Sequence, residues 1–245
     1  MKAQKSPYDD LKKERPYYEG RSKKLYKIDE THCLVTLIPT LSSFTYQRHS
    51  VVPGTAELRL GFYEMAAKQL HANGISTAFI ERVDEVSYVA QLCSNPPFET
   101  IVKNFAVGST IRKYPGLFPE MFPFAPPVVK FDYRTDPEDQ PIAADYLRAK
   151  GCNPDEFRRQ ALEINGVLQD WLFPLVLVDF CLIFGKTYDG QVVATSEISP
   201  DGMRLKGKAS GELCSYDKDL FRQGKSDKEI VRAWEELLGI LAAKV

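Results

Sequence analysis

Histidine is scarce in this chain of 245 residues, and cysteine is scattered. His32, His49 and His71 stand apart from any partner motif, so no histidine-centred catalytic or metal site is suggested. The five cysteines, Cys33, Cys93, Cys152, Cys181 and Cys214, include no CxxC pair, which argues against a zinc site or a dithiol redox motif. Their odd number points to a reducing cytoplasm rather than a secreted disulfide framework, and Met1 to Arg15 has no apolar leader. An excess of either charge is also missing. A formal net charge of -1 removes the global electrostatic case for binding nucleic acid or a membrane surface. The longest apolar run, Trp171 to Ile183, is interrupted by Pro174 and Asp179 and is too short to cross a bilayer. Internal repeats and low-complexity tracts are absent from the sequence.

What is present describes a globular protein. Apolar residues make up 44% and charged residues 27%, and the length suits one large domain or two small lobes sharing a cleft. Residues 1–16 read as a flexible extension. Tyr17 to Tyr26 predicts a strand, a turn at Gly20 and a second strand, and Cys33 to Ile38 a third. A polar segment, Pro39 to Pro53, precedes a helix over Gly54 to Asn73. Its apolar residues Leu58, Phe62, Met65, Ala66 and Leu70 recur at helical spacing, and Asn73-Gly74 stops it. Strands are expected over Ser76 to Ile80, Ser87 to Leu92 and Phe98 to Phe105. Residues 17–114 thus form a first lobe, an antiparallel sheet backed by one helix.

Residues 115–245 form a second lobe. Pro115 to Pro127 reads as a connection crossing the cleft, and Val128 to Tyr133 as a strand. Asn153-Pro154-Asp155-Glu156 is a strong start signal for a helix reaching Phe173. Strands over Leu175 to Phe184 and Gln191 to Ser196 flank a turn at Tyr188-Asp189-Gly190, and a helix over Ser226 to Ala243 closes the chain. The fold class is α+β, with two lobes.

Three runs carry candidate chemistry. Gly20-Arg21-Ser22-Lys23-Lys24 combines a glycine turn, which lets backbone approach a phosphate, with adjacent cations; it equally suits a solvated hairpin. Lys103-Asn104 through Gly108-Ser109-Thr110, near Arg112 and Lys113, holds the parts of an anion site, or is an ordinary strand ending in a turn. Asp179, followed after a hairpin by Glu197-Ile198-Ser199-Pro200-Asp201-Gly202-Met203-Arg204, places acids where they can hold a cation or orient an amine. The Ser-Pro-Asp-Gly run also suits a plain β-turn.

Taken together, in this order, these runs resemble the SAICAR synthetases. The resemblance rests on Tyr18 to Tyr26, on Ile101 to Ser109, and on Leu177 to Phe180 with Phe184-Gly185 and Glu197 to Leu205. It extends from Tyr18 to Leu238. It implies a two-lobed fold with ATP in the cleft and a reaction that ligates aspartate to carboxyaminoimidazole ribonucleotide. It implies ATP phosphates at Gly20, Arg21 and Lys23, and adenine at Gln91 to Cys93. It also implies ribonucleotide contacts at Lys103, Asn104, Ser109, Ser199, Asp201 and Arg204, with Asp179, Asp201 and Lys103 as catalytic groups. Mg²⁺ at Glu197 and self-association are further implications.

Several cleft positions depart from the pattern. Cys181 stands where the family has lysine, Ile183 where it has glutamate, and Ser196 where it has aspartate. An isoleucine cannot ligate Mg²⁺, and a serine hydroxyl is a weaker, neutral ligand. Lys103 replaces an arginine and loses its bidentate fork. Three functions follow: the family reaction, a paralogue repurposed for nucleoside antibiotics of the coformycin or pentostatin kind, and a non-catalytic nucleotide-binding protein.

Overall fold

The computed structural model describes residues 6–209 and 212–244. Part of the expected extension, residues 1–5, lies outside them. From residue 6 onward the segment is docked: Leu11–Lys13 forms a 3-10 turn, and Lys12 is ion-paired to Asp84.

The first half of the chain contains β1 (Tyr18–Glu19), β2 (Lys23–Lys27), β3 (His32–Leu37), β4 (Thr40–Ser43), β5 (Arg48–Val51), α1 (Thr55–Ala72), β6 (Phe79–Arg82) and β7 (Ser87–Gln91). Five of these strands form an antiparallel sheet in the order β1-β2-β3-β7-β6. Helix α1 packs on it, with Tyr63 meeting the rings of Phe79 and Tyr88 edge-on at 5.1 and 5.5 Å. The segment expected to be merely polar is a hairpin, β4–β5. Leu41 and Val52 tie it down by packing with Phe221, Ile230 and Trp234, which a reading of local polarity misses.

The second half contains β8 (Phe98–Phe105), α2 (Ser109–Lys113), β9 (Pro123–Tyr133), β10 (Gln140–Ile142), α3 (Ala144–Ala149), α4 (Pro154–Leu172), β11 (Val176–Leu182), β12 (Phe184–Lys186), β13 (Val192–Ala194), β14 (Met203–Ala209), β15 (Glu212–Ser215), α5 (Asp219–Arg222) and α6 (Asp227–Ala242). A six-stranded sheet runs β10-β9-β8-β11-β14-β15. Strand β8, expected in the first sheet, therefore lies inside the second, paired with β9 and β11. The proline-rich connection is partly strand, because β9 begins at Pro123 and pairs with β8 along most of its length.

Helix α4 starts as its sequence predicts. The Asn153 side chain accepts from the backbone N–H groups of Asp155 and Glu156, and Pro154 takes the first turn, where its missing N–H costs nothing. Its buried stripe of Phe157, Ala161, Ile164, Leu168 and Leu172 lies at three- and four-residue spacing. Phe62 of α1 meets Trp171 of α4 at 5.2 Å between ring centres, so one apolar core joins both halves. Helix α6 opens with a reciprocal cap between Ser226 and Glu229. Among the described residues no helix is long and apolar enough to cross a membrane.

Candidate active site

The glycine turn between β1 and β2 faces the segment linking β13 to β14 across a cleft of about 720 Å³. Gly20, Arg21, Ser22, Lys23, Arg59, Ile183, Ser196, Glu197, Ser199 and Asp201 are among its walls. A narrower recess of about 280 Å³ adjoins it, walled by Lys103, Gly108, Ser109, Asp179 and Arg204. Ser42, Phe44, Glu99, Cys181, Asp201 and Gly202 border both spaces, so they form one continuous site.

At the wide end, the turn closes through the Gly20 N–H donating to the Lys23 carbonyl at 2.9 Å. Arg21 sits on the rim. It donates to Asp136 at 2.8 Å, and its guanidinium lies 4.0 Å over the Phe44 ring. The Lys23 ammonium has no hydrogen-bond or ion-pair partner among the described residues. Burial pulls its pKa below the ordinary lysine value, against the opposing pull of Glu197. An unpaired, half-buried cation beside a glycine turn is a ready anion site. Gln91 and Cys93 are not among the cleft walls. The Gln91 and Leu92 N–H groups are taken by the carbonyls of Ala78 and Thr31, which removes two donors from the expected adenine contact.

The narrow end is built on a cross-strand pair. Lys103 of β8 lies opposite Asp179 of β11, and its ammonium donates to Asp179 at 3.0 Å. Arg204 of β14 donates to the same carboxylate at 2.8 Å and to Asp219 at 3.1 Å. Burial lowers the Lys103 pKa although Asp179 opposes it. For Arg204 burial acts in the same sense, but Asp179 and Asp219 outweigh it and hold the pKa above the ordinary value. Gly108, at φ +57°, lets the chain pass over this guanidinium: a Cβ there would lie 2.7 Å from Arg204 Nη2. The next residue, Ser109, opens α2 and lines the recess.

Asn104, expected to contact the ribonucleotide, does not line the recess. Being one residue along the strand from Lys103, it points to the other face of β8, away from the recess. Its amide is spent on Asn165 of α4 at 2.9 Å and on the Leu177 carbonyl at 3.0 Å, which makes it an internal clip. Ser199 is fully buried and donates to Glu197 at 2.9 Å, so it holds a cleft carboxylate in place.

The chain has relatives among known proteins. The sequence profile of the SAICAR synthetase family matches residues 16–238. The chain belongs to the SAICAR synthetase family. It is 32% identical to the phosphoribosylaminoimidazole-succinocarboxamide synthase of Methanocaldococcus jannaschii, covering 89% of this chain and 92% of that one. Against the enzyme of the same name from Methanobrevibacter smithii, identity is 40% over 69% and 71% of the two chains. A SAICAR synthetase solved in complex with ADP superposes with a TM-score of 0.81 at 30% identity, covering 90% of this chain and 94% of the other. The SAICAR synthetase of Pyrococcus horikoshii superposes with a TM-score of 0.81 at 28% identity, covering 91% and 98%.

The Mg²⁺ that the SAICAR synthetase resemblance implies does not fit the residues present. Both Glu197 oxygens are taken by Arg59, whose Nε and Nη2 donate at 2.6 and 2.7 Å. Ile183 offers no ligand, and the Ser196 hydroxyl accepts from the Ile183 N–H at 2.9 Å. Asp201 is ion-paired to Lys218 at 2.9 Å, and Asp179 to Lys103 and Arg204. Among the described residues no group of three or more His, Cys, Asp or Glu is placed to hold a metal ion. Glu197, expected as a metal ligand, is instead half of an ion pair with Arg59.

The sequence reading missed Arg59, Glu99 and Lys218. Arg59 is 1% exposed, on the buried stripe of α1 beside Ala56, Leu60 and Tyr63. A lone arginine on an apolar helical stripe is the signal that could have found it, because such a charge needs a buried partner. Glu99 borders both spaces, and burial, with Asp139 nearby, pushes its carboxyl up to about 7. Burial drives the Cys181 thiol well above its ordinary range, which keeps it protonated at neutral pH, and it donates to the Gly202 carbonyl at 3.4 Å.

Proposed function

We propose that the chain is an ATP-dependent carbon–nitrogen ligase acting on an imidazole- or purine-type ribonucleotide, with aspartate as the amine of the family reaction. One observation carries this reading: Lys23 with the Gly20 turn, and Ser109 with Lys103 and Arg204, border two adjoining spaces of one site. Lys23 and the Gly20 turn suit the polyphosphate of a nucleotide. Ser109 and the cations anchored by Asp179 suit the phosphate of a second. Phosphoryl transfer to a substrate carboxylate gives an acyl phosphate and ADP. The amine attacks that carbonyl, loses a proton, and expels phosphate as the C–N bond forms.

The residues divide that work. Lys23 neutralises charge on the nucleotide phosphates without first breaking a partner. Asp179 acts as a positioning group, because both its oxygens are engaged by Lys103 and Arg204. Asp201 borders both spaces, which supports a role near the reacting end of the substrate. Attraction to Lys218 and Arg59 outweighs its burial and holds it below the usual carboxylate range, so it stays ionised near neutrality.

A second reading is favoured by Cys181, Ile183 and Ser196, which line the site where the family pattern is charged. It takes the chain as a paralogue in nucleoside-antibiotic biosynthesis of the coformycin or pentostatin kind, with altered ATP chemistry. The test is turnover of carboxyaminoimidazole ribonucleotide with aspartate, ATP and Mg²⁺, followed by mass spectrometry. Succinocarboxamide product with equimolar ADP supports the ligase. Folded protein that binds both nucleotides and forms no such product sinks it, and related nucleotides then become the substrates to try. Binding without turnover on any of them leaves a non-catalytic binding protein.

A further inference from the structure

The wide end of the cleft contains a buried guanidinium where an acid-held metal ion would be expected. Arg59 spans both oxygens of Glu197, and its Nη1 donates to the Ile38 carbonyl at 3.0 Å. Ser199 adds a third donor to Glu197. The arginine is fixed by three hydrogen bonds from a helix in the shared core, so it is preorganised and not a mobile surface side chain. Glu197 and Asp201 pull its pKa above the ordinary arginine value even though burial acts the other way, so the charge persists at every working pH. A divalent ion approaching Glu197 would have to compete with this pair for both carboxylate oxygens and would leave a buried arginine without its anion.

Resting on the nucleotide-binding reading above, we infer that this protein binds adenine nucleotides without a protein-held divalent cation, Arg59 neutralising Glu197 and Lys23 receiving the phosphates. Lys23 and Arg59 both border the wide space, and they lie close enough to Glu197 to share its field. With Arg59 in place, Glu197 no longer repels an incoming polyphosphate. Lys23 remains the unpaired cation, so the attraction needs no ion ligated by the chain. Any Mg²⁺ that accompanies the nucleotide is then held by the phosphates and water.

The experiment is calorimetric titration of the full chain with ADP, once in Mg²⁺ and once in EDTA, repeated on Glu197→Gln. Dissociation constants within about threefold of each other in the two buffers are expected. Glu197→Gln keeps one oxygen to accept from Arg59 and turns the other into a donor facing it, so it removes the candidate metal ligand together with half the pair. Its ADP dissociation constants in Mg²⁺ and EDTA should still agree within about threefold, and a loss of about tenfold or more confined to Mg²⁺ overturns the inference. A weakening of tenfold or more in EDTA overturns the inference while leaving the nucleotide reading intact. No binding in either buffer overturns both. If Glu197→Gln does not fold, the parent protein's two titrations still decide the question.

Discussion

Asp179 sits directly across the sheet from Lys103, and its carboxylate holds both that residue's ammonium and the Arg204 guanidinium. The three groups are buried or nearly so, and Lys103 and Arg204 are close enough to repel each other. Asp179→Asn therefore leaves two cations facing each other with no anion between them. It should cost about 3–5 kcal/mol of folding stability. Lys103→Met should cost clearly less, because Asp179 keeps Arg204. Urea unfolding followed by circular dichroism measures both. Equal losses for the two variants would show that the shared anion is not the keystone of the recess.

Lys23 makes the opposite kind of prediction. Its ammonium is unpaired among the described residues, so Lys23→Met strands no partner. Stability should change by less than about 1 kcal/mol. Nucleotide affinity should fall by about 10- to 100-fold, the worth of a charge-assisted contact to phosphate. Titration of ADP against both proteins reads the second number, and thermal unfolding the first. An unchanged affinity would remove Lys23 from the nucleotide site.

Glu99 makes stability depend on pH. Its carboxyl is pushed from an ordinary 4.5 up to about 7 by burial and by Asp139, while Arg134 and Lys130 act the other way and Asp132 adds to the rise. The folded state then holds the proton more tightly than the unfolded chain. Its contribution is fully present below about pH 4.5 and is lost as pH rises through about 7. Glu99→Gln mimics the protonated form. At pH 8 it should be more stable than the parent by about 1–2 kcal/mol, a figure reduced for the group's partial contact with solvent, and the gain should vanish by about pH 4.5. Unfolding curves at a series of pH values test this; a gain independent of pH would mean the carboxylate is not strained.

Much of this site was legible in the sequence, and the part that was not has a physical reason. Gly20, Lys23, Lys103, Ser109, Asp201 and Arg204 lie within motifs whose order is recognisable, and the structure brings them to one cleft. Helices α1 and α4 could be read because stripes, caps and stop signals are local. Partners could not. Nothing near Glu197 in the chain announces Arg59, 138 positions away, so a carboxylate that reads as a metal ligand proved to be half of an ion pair. Asn104 shows the same limit: it neighbours Lys103 in sequence, but alternate side chains on a strand face opposite ways, and its amide meets Asn165 and the Leu177 carbonyl. The sheet holding β8 was misassigned because its partner β11 is 76 residues distant at the Lys103–Asp179 step.

Gly108 offers a way to move Arg204 without touching its charge. Gly108 and Gly116 both have positive φ, at +57° and +79°. A Cβ at Gly116 meets nothing within 4 Å, whereas one at Gly108 collides with the Arg204 guanidinium at 2.7 Å. Gly108→Ala and Gly116→Ala both force a side chain to positive φ, at about 1–3 kcal/mol each. Gly108, with ψ −116°, lies outside the left-handed well, so the affinity and not the stability is the quantity compared. Only the first must also push the guanidinium away from Asp179 and out of register with Ser109. Ribonucleotide phosphate binding should weaken by about tenfold or more in Gly108→Ala, equivalent to about 1.4 kcal/mol, and stay within twofold of the parent in Gly116→Ala. Titration of both variants with carboxyaminoimidazole ribonucleotide makes the comparison. If the two lose affinity equally, strain in the segment is responsible; if neither does, the ribonucleotide phosphate is not held at Arg204.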